Sequence, residues 1–194
     1  MVTDSPPPGP ASPAAPTNAL ELDNDLWRFA YSFYAREGVS PACLTLQDKL
    51  DVDVDILLFA IFARIERGIL LDADDLAVVD NLVRDWRSEI VQVLRRARTR
   101  LKCGPAPAPS ALTEKLRNRI KAAELEAEQI ELAVLADWLD RQPRRPADVG
   151  DARTVPLTVA RYFGAPPDDE PFAPEVDEAL RVLSLAIEHA TTKR

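Results

Sequence analysis

Residues 50–68 read LDVDVDILLFAIFARIERG and contain both the most apolar run of the chain and its most site-like group of acids. From Val54 to Ile65, apolar residues recur at three- and four-residue spacing around one broad face. This spacing predicts an α-helix at the centre of a core. We expect the helix to end at Gly68, because glycine readily adopts the left-handed conformation found at helix C-termini.

Three aspartates, Asp51, Asp53 and Asp55, alternate just before this helix and allow two interpretations. A calcium loop of the EF-hand kind would need a glycine at its sixth position and a glutamate at its twelfth. Counted from Asp51, those positions hold Ile56 and Phe62. The alternative is a helix start, with Asp51 or Asp53 as N-cap and Asp55 beside the positive end of the helix dipole. The pattern favours the helix start, and we expect no metal site.

Upstream of this segment, the sequence predicts two shorter amphipathic helices. In residues 24–36, NDLWRFAYSFYAR, apolar residues recur at i, i+3, i+4 and i+7, the period of a buried helical face. In residues 39–50, VSPACLTLQDKL, the apolar spacing is again three and four. Here we expect Ser40 as the N-cap and Pro41 in the first turn.

Downstream, two long segments predict an antiparallel helical hairpin. Apolar residues alternate at threes and fours through residues 72–102, and Asp72 with Asp75 approximates a capping box at the start. A second long amphipathic segment covers residues 111–140. Because only the short link CGPAPAPS separates the two segments, we expect them to pack side by side.

These segments define an all-α fold, an irregular bundle of about six helices with a long antiparallel hairpin. Residues 1–22 are rich in proline and lack apolar periodicity, which predicts a disordered tail. We expect a helical domain over residues 23–140. Residues 141–194 form a loop-rich extension, with one short helix at 156–163 and a C-terminal helix at 174–190.

Charge and hydropathy restrict the partners. The net charge of −8 opposes non-specific binding to nucleic acid or to an anionic membrane. The longest uninterrupted apolar run, residues 56–63, is far shorter than the ~20 residues that span a bilayer. The N-terminal sequence also lacks the basic and apolar regions of a secretory signal. We therefore expect a cytoplasmic protein that does not enter membranes.

Residues suited to nucleophilic or metal chemistry are few. Cys43 and Cys103 have no CxxC partner, and His189 is the single histidine, whereas a zinc site needs about four ligands at characteristic spacing. The chain contains no GxSxG, HExxH or glycine-rich phosphate loop. We predict no catalytic residue, no cofactor and two free thiols in a reducing compartment.

Two groups of residues are candidates for binding. Aromatic and polar side chains could line a ligand pocket between helices, and the candidates are Trp27, Tyr31, Gln47, Asp48, Trp86, Arg87 and Glu89. A basic patch at the end of the 72–102 helix consists of Arg95, Arg96, Arg98, Arg100 and Lys102. Such a patch can bind the phosphates of nucleic acid, or it can simply complement the negative end of the helix dipole. The acidic composition favours the dipole.

Several strings of the sequence together resemble one protein family. They are LWRFAYSFY, GVSPACLTLQD, DVDILLF and WRSEIVQVLRRARTRLK, followed by KAAELEAE. They resemble a bacterial family of conserved hypothetical proteins of unknown function, over about residues 25–139. The resemblance implies an all-helical fold and transfers no activity, cofactor or substrate.

Three functions are compatible with these observations. The pattern favours a non-catalytic helical module that binds an unknown protein partner or forms a homo-oligomer, because the apolar stripes are wider than a two-helix seam needs. The first alternative is a small-ligand-binding or enzymatic bundle, which an internal pocket with converging polar groups would favour. The second alternative is nucleic-acid binding through the basic end of the 72–102 helix.

Overall fold

The computed structural model describes residues 20–143, 151–164, 166 and 170–192, and these residues form helices and connections without a strand. In chain order the helices are α1 Asp25–Tyr34, α2 Val39–Leu50, α3 Val54–Arg67, α4 Ala73–Trp86, a π-helical turn Arg87–Val91, α5 Gln92–Arg100, α6 Ala111–Asp140, α7 Thr154–Gly164 and α8 Pro174–Thr192. The predicted all-α bundle is confirmed. The predicted N-terminal tail lies almost wholly outside the described residues.

The central helix of the core is α3. All eight residues from Ile56 to Ala63 are buried, and α1, α2, α6, α7 and α8 pack against the helix. Phe59 meets the ring of Trp138 on α6 edge to face, with centroids 6.1 Å apart. As expected, α3 ends at Gly68, which has a φ of 65°. The most apolar run of the sequence is therefore surrounded by helices.

The caps of α3 and α4 follow their sequence signals. Asp53 is the N-cap of α3, and one of its carboxylate oxygens accepts a hydrogen bond of 3.0 Å from the backbone N–H of Ile56. Asp72 and Asp75 form a reciprocal capping box at the start of α4. Asp51 does not cap α3. It ends α2 in the left-handed conformation, with a φ of 56°.

The N-cap predicted for α2 is wrong. The helix begins at Val39 and its N-cap is Gly38, not Ser40. The φ of Gly38 is 78°, so the chain turns within one residue, and the Gly38 carbonyl already accepts from the N–H of Ala42. Because glycine readily adopts this left-handed conformation, α2 begins at Val39, one residue before the predicted N-cap Ser40.

The hairpin of two long helices is confirmed, and it contains a π-helical turn. α4, the π turn and α5 form one continuous helix over residues 73–100, which packs against α6. The two long helices are joined at Trp86, whose indole N–H donates a hydrogen bond of 3.0 Å to the carbonyl oxygen of Ala127 on α6. A π turn inserts one extra residue, so side chains after Val91 are rotated relative to those of α4.

α7 and α8 belong to the same core. Leu180, Leu183 and Ile187 of α8 are fully buried, and α8 packs mainly against α2. α7 packs against α3, α4 and α2, and its Val159 and Ala160 are buried. Within the described part of the chain, no helix combines the length and apolarity that crossing a bilayer requires.

Candidate functional site

A partly enclosed cavity of about 650 Å³ lies between α1, the α2–α3 connection, the π turn, α5 and α6. Its wall is largely apolar and consists of Trp27, Tyr31, Tyr34, Leu44, Leu58, Leu125 and Phe163 among others. Its floor is charged and includes Asp53, Asp55, Arg87, Arg95, Glu128 and Glu131. This volume is within the range of small-ligand sites, and so is the combination of an apolar wall with a few polar groups.

The backbone at the start of α3 places the carboxylates of Asp53 and Asp55 at the floor of the cavity. Because Asp51 ends α2 and Asp53 begins α3, the chain turns sharply between the helices. Asp55 follows in the first turn of α3. Both carboxylates face Glu131 of α6. One oxygen from each of Asp53, Asp55 and Glu131 lies within 4.8 Å of the other two.

Glu131 is an unusual carboxylate. Its side chain belongs to a residue only 1% exposed, and neither of its oxygens has a hydrogen-bond partner among the described residues. Burial, together with the nearby charge of Asp53, raises the pKa of Glu131 to about 9. Burial also raises the pKa of Asp55 well above its ordinary value, and the charges of Asp53 and Glu131 add to that effect. The floor therefore holds two carboxyl groups that are difficult to ionise.

Arg87 of the π turn neutralises two other acids. It donates to Asp53 at 2.9 Å and to Asp80 of α4 at 2.7 Å. Asp80 also accepts from Arg84 at 2.6 Å and from the Tyr162 hydroxyl at 3.1 Å. Burial opposes ionisation of Asp80, but these bonds outweigh it and hold its pKa below the ordinary value.

A second ion-pair group joins α5 to α6 at the rim. Arg95 donates to Glu124 at 3.0 Å and to Glu128 at 2.5 Å, and Arg98 also binds Glu124. Although Glu124 is buried, the bonds from Arg98 and Arg95 leave its pKa lowered. The pKa of Glu128 is raised, because burial outweighs the attraction of Arg95.

These ion pairs leave an imbalance of charge in the floor. Arg87 is shared by Asp53 and Asp80, and the arginines of α5 are bonded to the glutamates of α6 at the rim. Among the described residues, Asp55 and Glu131 receive no bond from a basic side chain. The floor can therefore accept added positive charge.

Residues 25–135 match a family described as a protein of unknown function (DUF2390). The chain belongs to this family. The match confirms the resemblance seen in the sequence, and it contains every acid of the cavity floor. Searches of the curated proteins and of the solved structures each found no match.

The candidate ligand residues of this DUF2390 protein separate into two groups. Trp27, Tyr31, Gln47 and Arg87 line the cavity. The other three do not line it, since Asp48 and Glu89 are exposed elsewhere and Trp86 is half-buried at the hairpin crossing. Four of the seven candidates therefore line the cavity, and their role in binding stays a prediction.

The predicted basic patch is also divided. Arg95 and Arg98 turn toward α6 and bind its glutamates. The exposed remainder is Arg96, Arg100 and Lys102. At this end of the helix, three of the five predicted cations are thus exposed and outside the described ion pairs with α6.

From the sequence, Asp53 and Asp55 were considered as metal ligands but interpreted as the start of a helix, and Glu128 and Glu131 were not considered as site residues. Asp53 was assigned correctly as a cap, but a cap and a cavity carboxylate are compatible roles for one residue. The sequence signal that could have indicated these acids lies on α6. Glu124, Glu128 and Glu131 are spaced by four and three residues, which places them on one helical face beside the buried Ala127.

Proposed function

We propose that this DUF2390 protein binds a small organic ligand in the cavity between α1 and α6. One observation carries the proposal: aromatic side chains line the same cavity as Glu131, a buried carboxyl group without a hydrogen-bond partner among the described residues. A bundle serving only as scaffold would fill this space with side chains, because protein interiors are close-packed. The proposal takes up the first alternative from the sequence, for which a pocket with converging polar groups was the expected sign.

The aromatic wall supports a planar or apolar ligand group. Tyr31 is 69% exposed, and its ring centroid lies 6.3 Å from that of Trp27. Large aromatic side chains bury substantial area in cores and at interfaces, so an exposed Tyr31 at the mouth is available for stacking. Leu44 and Gln47 of α2 stand beside it at the cavity edge.

The charges lining the cavity support a positive group at its floor. The lining acids are Asp51, Asp53, Asp55, Asp80, Glu124, Glu128 and Glu131, and the lining bases are Arg87, Arg95, Arg98 and Lys121. Seven acids against four bases leave three acids in excess. In a partly desolvated site such an excess attracts a cation or raises the pKa of the acids.

Retention of small molecules by the immobilised chain tests the proposal. A filtered extract of cellular metabolites would be passed over wild type, over the double variant Leu44→Trp/Gln47→Trp, and over Val78→Ala. The double variant fills the cavity edge with two indoles, whereas Val78 is exposed outside the cavity.

We expect mass spectrometry to find at least one small molecule that wild type and Val78→Ala retain and the double variant does not. Circular dichroism would confirm that all three chains are helical. Equal retention by all three, or retention by none, would contradict the proposal.

A second candidate function is the interaction module that the sequence favoured. One observation supports it: large apolar side chains are exposed along the hairpin, namely Val78, Leu82, Ile90, Val93, Leu112 and Leu116. Exposed apolar surface of this kind is common at protein interfaces. Light scattering after size exclusion would compare wild type with Leu82→Lys. A dimer that the substitution dissociates would support this candidate, and a monomer in both cases would count against self-assembly.

A further inference from the structure

We propose that Asp53, Asp55 and Glu131 bind a divalent metal ion at the floor of the cavity. The inference rests on the proposed function in one respect, since the ion would lie inside the cavity assigned to the organic ligand. It departs from the expectation of no metal drawn from the spacing of Asp51, Asp53 and Asp55. That expectation concerned an EF-hand loop within one stretch of chain, whereas the proposed site joins α3 to α6.

The geometry of the three carboxylates suits one ion. An ion with bonds of about 2.1 Å places neighbouring ligand oxygens about 3.0 Å apart and opposite ones about 4.2 Å apart. One oxygen each from Asp53, Asp55 and Glu131 lies within 4.8 Å of the other two. The spacing of the three oxygens is therefore close to the size of one coordination sphere. An ion bound here would share Asp53 with the backbone N–H of Ile56 and with Arg87.

The isolation of Glu131 is a second and independent indication. A buried carboxylate without hydrogen bonds is costly and requires a proton or a cation. Both oxygens of Glu131 lack a partner among the described residues, although the residue is 1% exposed. The two arginines whose charges act on Glu131 are bonded to other acids, Arg87 to Asp53 and Asp80, and Arg95 to the rim glutamates. A cation in the cavity would give Glu131 the missing partner.

The ligand chemistry selects the class of metal. The three donors are all carboxylate oxygens, without sulfur or imidazole. Oxygen-only sites suit Mg²⁺, Mn²⁺ and Ca²⁺, whereas softer donors favour zinc and copper. When ionised, Asp55 and Glu131 together carry two negative charges and receive no hydrogen bond from a basic side chain among the described residues, which matches the charge of one divalent ion.

Three protein ligands leave part of the coordination sphere open. An octahedral ion would keep about three further positions, which water or a ligand oxygen can occupy. All three carboxylates line the cavity, which also contains Trp27 and Tyr31 in its wall. We therefore infer that the organic ligand carries an oxygen donor that reaches the ion.

Binding of Mn²⁺ to the full-length chain tests the site without any organic ligand. Free Mn²⁺ has a strong electron paramagnetic resonance signal that weakens on binding, so a titration gives the number and affinity of bound ions. The test variant is Glu131→Gln, which keeps the shape and removes the charge. The matched control is Glu126→Gln, which changes an exposed acid of the same helix. Asp55→Asn is a second test variant in case Glu131→Gln does not fold.

We expect about one saturable Mn²⁺ per chain, with affinity reduced at least about tenfold in Glu131→Gln or Asp55→Asn and unchanged in Glu126→Gln. No saturable binding, or equal binding by the Glu131→Gln and Asp55→Asn variants, would overturn the inference.

The two proposals fail separately. If Mn²⁺ binds as expected but no small molecule is retained, the metal site stands and the proposed function fails. If a small molecule is retained and the Leu44→Trp/Gln47→Trp variant loses it, while Mn²⁺ does not bind, the metal inference alone is overturned.

Discussion

Asp55 and Glu131 face each other between α3 and α6, with one carboxylate oxygen of each within 4.8 Å of the other. Neither receives a hydrogen bond from a basic side chain among the described residues. Two acids so close together cannot both ionise easily, so they retain protons or hold a cation. This relationship gives the cavity its chemistry, and the predictions on pH and on Arg87 follow from it.

The stability of the metal-free protein should fall as the pH rises. The pKa of Glu131 is raised from 4.5 to about 9 in the folded protein, so between these values the folded chain keeps a proton that the unfolded chain loses. The slope contributed by one such group is about −1.4 kcal/mol per pH unit. Asp55 acts in the same direction.

Urea unfolding between pH 5 and pH 9 in the presence of a chelator measures this slope. Glu131→Gln should flatten it and should be more stable than wild type at the alkaline end, whereas Glu126→Gln should follow wild type. Parallel curves for wild type and Glu131→Gln would show that the carboxyl group is not perturbed.

Removal of Arg87 should strongly destabilise the fold. Its side chain is only 16% exposed and forms ion pairs with two carboxylates, Asp53 and Asp80, that are themselves buried. Arg87→Met would leave both without their central cation, and loss of one partner from a buried pair costs about 3–5 kcal/mol. Chemical denaturation measures the loss. Arg181→Met is the control, since Arg181 pairs with Glu178 on the surface, and an equal effect of the two substitutions would contradict the assignment.

The two cysteines should differ in reactivity. Cys43 is fully buried, and burial raises the pKa of its thiol to about 12, whereas Cys103 is exposed. Iodoacetamide at pH 8 should therefore modify Cys103 alone in the native protein and both thiols in urea. Peptide mass spectrometry identifies the modified residue. Comparable labelling of Cys43 in the native state would indicate that the α2 region opens readily.

The turn before α2 should require glycine. Gly38 has a φ of 78°, and a Cβ added there would lie 3.1 Å from Cγ1 of Val182 on α8. Gly38→Ala should cost about 1–3 kcal/mol, because both the backbone and the packing against α8 are strained. Thermal unfolding measures the cost. Where backbone strain is the larger part of this cost, Gly38→Asn should be less destabilising than Gly38→Ala. An unchanged melting temperature for Gly38→Ala would contradict the requirement for glycine at this turn.

Much of the fold could be predicted because its signals are local. The apolar period through residues 54–65 was enough to identify the buried helix α3. The pair Asp72 and Asp75 was enough to locate the start of α4. Caps depend on contacts three residues apart, which a linear sequence displays directly. Ser40 was assigned wrongly because the turn at Gly38 closed before it, an effect of backbone conformation rather than of side-chain pattern.

The site could be predicted only in part because its contacts are distant in sequence. Asp53 and Glu131 meet only after α3 and α6 have packed together. The π turn also shifts the helical face that carries Arg95 and Arg98, so a regular period of 3.6 does not show that these arginines turn toward α6. A row of glutamates on α6 was visible in the sequence, but its partners were not.

Anomalous diffraction from crystals of the full-length chain grown with Mn²⁺ is the most direct measurement. We expect one strong peak among the carboxylates of Asp53, Asp55 and Glu131, with the remaining coordination directed into the cavity. A map without a peak there would contradict the proposed metal site.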